Sequence, residues 1–261
     1  MGRCCPDGDC GGDFVRARIR FTKVGKIRFI SHRDVARIWE RAFRRAGIAV
    51  AYSQGFSPRP KLSFGLALST GHESDAEYLD VDLVDERYGT TDEWGEQGTA
   101  GMDLAGALTA VLPEGMDVVA VAPIAKGGDS LQQAVVSCTW AVEVDGVGRT
   151  DVDAWVADVL SRKEIVVERE RKGKPVVEDL RPQVLALRVD EESGTTSRVR
   201  LLADLGTQPR ALRPTELLVA VDPPLVARSV RRMNQWMSQG ADREEPLTVA
   251  VAPAPPTTES A

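Results

Sequence analysis

Histidine is scarce in this chain: only His32 and His72 occur in 261 residues. Imidazole-based metal sites and acid–base pairs therefore have little to draw on. Aromatic residues make up 5% of the sequence. No apolar run approaches the roughly 20 residues that a membrane-crossing helix needs. The N-terminal residues carry no hydrophobic signal core, so a cytoplasmic location without a membrane is expected. Of the four cysteines, Cys4, Cys5 and Cys10 cluster near the start, whereas Cys138 is remote. Three clustered thiols are candidate zinc or shared-cluster ligands, yet no C-x-x-C pair or nearby His completes a standard site. The C-x-x-x-C-x-x-C spacing of radical SAM iron–sulfur enzymes is absent, so the chain is not expected to perform that chemistry itself. Also absent are a Gly-rich phosphate loop ending in Lys-Ser/Thr, G-x-G-x-x-G after a strand, and G-x-S-x-G. These absences argue against nucleotide hydrolysis, dinucleotide redox chemistry and serine-hydrolase catalysis. No cofactor is expected.

Charge is present in an uneven distribution. The net charge is −6. Residues 14–62 nevertheless hold thirteen Lys/Arg against Asp34 and Glu40, a surplus of eleven positive charges. The rest of the chain holds twenty basic against thirty-seven acidic groups. Such segregation is expected where one surface meets a polyanion. It can also be neutralised internally if the two parts pack together.

Within this stretch, Ser31 precedes an apolar-periodic run and Asp34 follows three residues later, the pattern of a helix cap. Gly47 is a natural stop. At 100° per residue, Val35, Ile38, Trp39, Ala42, Phe43 and Ala46 share one arc, and Arg33, Arg37, Arg41 and Arg44 share another with Arg45 at its edge. One face is therefore core and the other a guanidinium stripe, read either as a solvated face or as an anion-binding one. The loop that follows, Gln54-Gly55-Phe56-Ser57-Pro58-Arg59-Pro60-Lys61, is stiffened by two prolines and presents Arg59 and Lys61. Phe56 either stacks on a base or pins the loop to the core.

Residues 14–22 alternate strictly, with Val15, Ala17, Ile19 and Phe21 on one side and Arg16, Arg18 and Arg20 on the other. Further strands are expected at 61–68, 77–84 and 118–122, with a second helix at 102–112. The order is βαββαβ, a ferredoxin-like unit. In that order the first and third strands are neighbours, so Arg16, Arg18 and Arg20 would face Asp80 and Asp82 and lose their charge to cross-strand pairs. A weaker second unit is read from strands at 134–144, 165–169, 183–189, 198–205 and 225–230 and helices at 151–161 and 214–221. A basic turn in this half, Arg169-Glu170-Arg171-Lys172-Gly173-Lys174, makes Arg171, Lys172 and Lys174 further candidates for gripping phosphate. The fold expected is α+β: two tandem ferredoxin-like domains at 14–125 and 130–240, flanked by disordered tails at 1–13 and 241–261.

The segments RIRFTKVGKIRFISHRD, AYSQGFSPRPKLSFG, RKGKPVVEDLRP and LRPTELL resemble the radical-SAM-linked family of uncharacterised bacterial proteins. That resemblance covers roughly residues 14–230. Members resemble the C-terminal extension of certain radical SAM proteins, or occur as separate chains encoded near such proteins, and are also found near genes for ribonuclease E/G and ribosomal proteins. The resemblance thus implies a radical SAM partner or a role in RNA metabolism, without catalytic residues. The tandem architecture also resembles the RNA-processing proteins of CRISPR systems, a likeness of fold alone.

The expected function is an RNA-binding module in RNA processing, modification or translation, with Arg33, Arg37, Arg41, Arg44, Arg45, Arg59 and Lys61 holding phosphates. One alternative is a metal-independent endoribonuclease with His32 as general acid or base. The other is a protein–protein adaptor whose positive face docks an acidic partner.

Overall fold

The computed structural model describes residues 15–84, 99–125, 130–171, 173–191, 198–238 and 243–247. Its first half runs β1 (Val15–Lys23), α1 (His32–Arg45), β2 (Leu62–Phe64), β3 (Glu73–Leu83), α2 (Thr99–Thr109) and β4 (Val118–Pro123). The second half runs α3 (Leu131–Ala134), β5 (Ser137–Asp145), α4 (Arg149–Ser161), β6 (Val166–Arg171), β7 (Lys174–Asp179), β8 (Val184–Val189), β9 (Arg198–Gly206), α5 (Pro214–Ala220) and β10 (Ala227–Trp236). The class is mixed α+β, as the alternation of strand and helix periods implied.

Local chemistry explains α1. The Asp34 N–H donates to Ser31 Oγ at 3.3 Å, and the Ser31 hydroxyl donates back to the Asp34 carboxylate at 2.7 Å. Val35, Trp39, Ala42 and Phe43 are buried on its apolar arc. Trp39 meets Phe21 of β1 edge-on at 4.9 Å and Phe43 at 5.7 Å, which seats the helix on the sheet. Gly115, just before β4, closes the other end of this core. A Cβ there would lie 2.2 Å from the Val24 carbonyl oxygen, and its φ of +87° suits glycine.

The expected pairing of the first and third strands is present: Arg16 lies opposite Asp82 and Arg18 opposite Asp80. Arg18 forms a two-pronged, buried pair with Asp80 at 2.7 and 2.9 Å. Arg20 turns elsewhere, to Glu245 at 2.8 Å. That acid belongs to residues 243–247, which fall inside the expected C-terminal tail yet lie packed on the sheet. Leu247 packs with Ala76, Tyr78 and Leu131, and the Pro246 carbonyl accepts a hydrogen bond from Arg18 at 3.1 Å.

The largest departure from expectation concerns the two halves. Each half pairs its strands in the same antiparallel order, β4-β1-β3-β2 and β10-β5-β9-β8. They are not separate sheets. Glu73 and Ser74 at the start of β3 pair in parallel with Arg231 and Arg232 of β10, giving one eight-stranded sheet. This junction also shortens β2, expected over 61–68. With β10 on the same edge of β3, β2 pairs only with residues 79–81, and the Leu66 carbonyl accepts from Arg232 at 2.9 Å instead. The β6–β7 hairpin forms its own two-stranded sheet between α4 and β8: β6 falls on the strand expected at 165–169, whereas β7 and the separate sheet were not expected. The strand expected from 134 starts at Ser137, after the short α3, and the last strand extends to Trp236. Among the described residues, no helix is long and apolar enough to cross a membrane.

Candidate functional site

The guanidinium stripe of α1 faces solvent. Arg33, Arg37, Arg41, Arg44 and Arg45 are all exposed. Arg37 pairs with Asp34 at 3.3 Å, and Arg41 Nε donates to the Arg37 carbonyl at 3.2 Å. Among the described residues, Arg33, Arg44 and Arg45 have no carboxylate partner. A solvated stripe and an anion-binding stripe share this geometry, so the neighbouring loop matters.

That loop is a braced ribbon. The Ala51 N–H donates to the Asp82 carbonyl and the Lys61 N–H to the Ala51 carbonyl, each at 2.8 Å. The Ser53 N–H donates to the Arg59 carbonyl at 2.8 Å, and the Arg59 N–H donates to Ser53 Oγ at 3.1 Å. Gly55 turns the tip at a φ of +137°. Phe56 does not pin the loop to the core: its relative exposure is 110%, and Tyr52 is half exposed. Main-chain hydrogen bonds and two prolines hold the loop, so no side-chain anchor is needed. Arg59 and Lys61 are exposed, with no acceptor on their side chains among the described residues.

The other sequence candidates lie elsewhere. His32 is exposed at the start of α1, its ring edge-on to Phe64 at 5.2 Å. Arg171 and Lys174 are register partners beside the β6–β7 turn, on the separate hairpin of the second half. Lys172, Cys4, Cys5 and Cys10 lie outside the described residues. Among those described, no group of His, Cys, Asp and Glu is arranged to hold a metal ion.

A second region was missed by sequence reasoning: the seam between the halves. Lys23, Ser74 and Arg232 are buried there. The Arg232 guanidinium donates to Glu77 and to the Leu66 carbonyl and lies 5.5 Å from the Trp140 ring centre. Burial pushes the Lys23 ammonium below its ordinary value, against the opposing pull of Glu77. Lys23 Nζ donates to the Ile30 carbonyl at 3.2 Å. Burial pushes the Cys138 thiol up to about 11, so it is not a nucleophile at neutral pH. A signal for this network does exist in the sequence. Lys23 shares the inward parity of Ile19 and Phe21, Glu77 that of Leu79 and Val81, and Arg232 that of Val230.

His72 adjoins the seam, its ring 6.1 Å from that of Trp140. Burial first, then Arg213, Arg232 and Lys23, lowers it from 6.5 to about 4. Between these values the unfolded chain binds a proton that the folded chain refuses. Its contribution to stability is therefore complete above about pH 6.5 and is lost as pH falls towards about 4. For a half-buried group that loss is roughly 1–2 kcal/mol after solvent screening. Urea midpoints at pH 7 and pH 4.5 test this. His72→Gln is expected to narrow the gap between them, and an unchanged gap would mean that His72 titrates normally in the fold.

Beside this network opens a cleft of about 590 Å³. Arg210 closes one wall, held between Glu178 at 2.9 Å and Glu216 at 2.8 Å. Glu216 first, and Glu178 with it, raises the Arg210 value further. Arg169 also pairs with Glu178, at 2.9 Å. The segments around RKGKPVVEDLRP and LRPTELL, distant in sequence, thus meet through Arg210.

Comparisons with known proteins add the following. The family model described as "Uncharacterized protein conserved in bacteria (DUF2344)" matches residues 16–214, well over half of the chain. Comparison with curated proteins gives no match. Among solved structures, the chain is similar to one in the crystal structure of a Cbf5-Nop10-Gar1 complex, at 12% identity and a TM-score of 0.42. The likeness covers 84% of this chain and 48% of that one, so this chain spans about half the length of its structural neighbour.

Proposed function

The chain belongs to this family of proteins conserved in bacteria, and we propose that it binds single-stranded RNA through the loop after α1 and the arginine face of α1. The observation that carries this reading is Phe56, fully exposed on a braced loop beside the unpaired Arg59 and Lys61. An exposed aromatic ring costs free energy in water, whereas a base stacked on it recovers that cost whatever its sequence. Arg59, Lys61, Arg33, Arg44 and Arg45 supply the phosphate contacts that dominate affinity. An adaptor docking an acidic protein would use the same charge without requiring the aromatic tip.

The two halves are read as ferredoxin-like units fused through the β3–β10 junction, and their shared strand order supports this. The radical-SAM-linked resemblance supplies the setting: RNA processing, modification or translation in the cytoplasm, beside a radical SAM partner. In that setting the chain presents RNA and performs no chemistry.

Titration of a labelled single-stranded oligoribonucleotide at low salt tests the reading. Phe56→Ala is expected to weaken binding by about 1–3 kcal/mol, the usual worth of one stacked base. Equal affinity for the variant would remove the stacking contact, and the absence of RNA binding by the wild-type chain would end the proposal.

A further inference from the structure

The cleft at the seam lies outside the loop and the α1 stripe, and it is built differently. Its volume of about 590 Å³ lies within the range of small-molecule sites. Leu66, Leu212 and Trp140 give it apolar walls. Most of its cations are already neutralised: Arg210 by Glu178 and Glu216, and Arg232 by Glu77. Arg213 is the exception. It lines the cleft, is exposed, and has no acceptor among the described residues.

Two further donors on this lining are unsatisfied. Trp140 is 6% exposed, and its indole N–H meets no acceptor. Arg169 Nε is buried without an acceptor, although the same guanidinium pairs with Glu178 at 2.9 Å. Indole N–H groups without an acceptor also occur at Trp39 and Trp155, so the cleft's shape, its apolar walls and the free Arg213 carry the argument. One surplus guanidinium adds a preference for negative charge, and guanidinium forks match phosphate oxygens. The apolar walls and the volume call for more than a bare ion.

We propose that this cleft binds a nucleoside monophosphate, free or as the phosphorylated end of an RNA chain, with its phosphate on Arg213 and its ring against the Trp140 and Leu212 wall. The site goes beyond the surface reading above and does not depend on it. Isothermal titration calorimetry tests it on the full chain with four probes: inorganic phosphate, adenosine monophosphate, a 5′-phosphorylated oligoribonucleotide and the same oligonucleotide with a 5′-hydroxyl. The mononucleotide is expected to bind at least tenfold more tightly than inorganic phosphate. Arg213→Ala, an exposed substitution, is expected to weaken mononucleotide binding at least tenfold, and Arg213→Lys to restore part of it. A 5′-phosphate that tightens oligonucleotide binding identifies an RNA end as the source, and no such gain identifies the free nucleotide.

Failure of the mononucleotide to bind at millimolar concentration would overturn the site. So would binding indifferent to Arg213→Ala, or binding no tighter than that of inorganic phosphate. The surface reading is judged separately, by the 5′-hydroxyl oligonucleotide, so the two failures are distinguishable.

Discussion

Glu77→Ala is expected to destabilise the fold by about 3–5 kcal/mol, the cost of leaving a buried charge without its partner. Arg232 is 1% exposed and fully enclosed at the junction of β3 and β10. Its guanidinium has two acceptors of note, the Glu77 carboxylate and the Leu66 carbonyl. Removing Glu77 leaves the Leu66 carbonyl and the Cys138 sulfur, and no carboxylate. The same change withdraws the charge that opposes the lowering of Lys23, so a second cation loses support. Urea unfolding measures the effect as a drop in midpoint at unchanged slope. Replacing the pair together, Arg232→Met with Glu77→Leu, is expected to recover most of the loss, because a buried ion pair is often matched by apolar residues of similar volume. A cost below about 1 kcal/mol for Glu77→Ala would place the pair in the class of solvated surface bridges and contradict a dry seam.

Arg59→Ala with Lys61→Ala is expected to weaken RNA binding at low salt by tenfold or more, and to flatten its salt dependence. Each phosphate contact with single-stranded nucleic acid contributes about 0.7 to the slope of log K against log salt, so losing two lowers the slope by about 1.4. Both side chains are exposed, and the loop is held through the main chains of Ala51, Ser53, Arg59 and Lys61. The double variant therefore keeps the fold. A change in slope separates lost phosphate contacts from a general loss of protein. Equal slopes for the variant and the wild type would move the phosphate contacts away from this loop.

What the sequence made legible was local or periodic. Ser31, Asp34 and the Val35–Trp39–Phe43 arc specify α1 within one segment, and the alternation of β1 and β3 put Arg16, Arg18 and Arg20 across from Asp80 and Asp82 without giving the register. The exposure of Phe56 was not legible. The same aromatic would be buried if a groove lay beneath the loop, and only the tertiary arrangement decides that. The single sheet was hidden because it hangs on two residues, Glu73 and Ser74, meeting a strand more than 150 positions away. Lys23, Glu77 and Arg232 read as ordinary surface charges when each strand is taken alone. Their inward parity carries the message only when the three strands are compared. The cleft depends on Arg210 gripping two glutamates from different segments, a meeting that spacing does not reveal. The packing of 243–247 was masked by a Pro- and Thr-rich composition that resembles a tail.

The most direct measurement of RNA binding at the proposed surface is photo-crosslinking of the wild-type chain to a 4-thiouridine-containing single-stranded oligoribonucleotide, with the modified peptides located by mass spectrometry. Crosslinks are expected at Phe56 or Tyr52, within the loop that Arg59 and Lys61 flank, and they should vanish at high salt. Crosslinks confined to peptides outside residues 31–64, or none at a concentration that saturates binding, would contradict the assignment of this loop and helix face as the RNA surface.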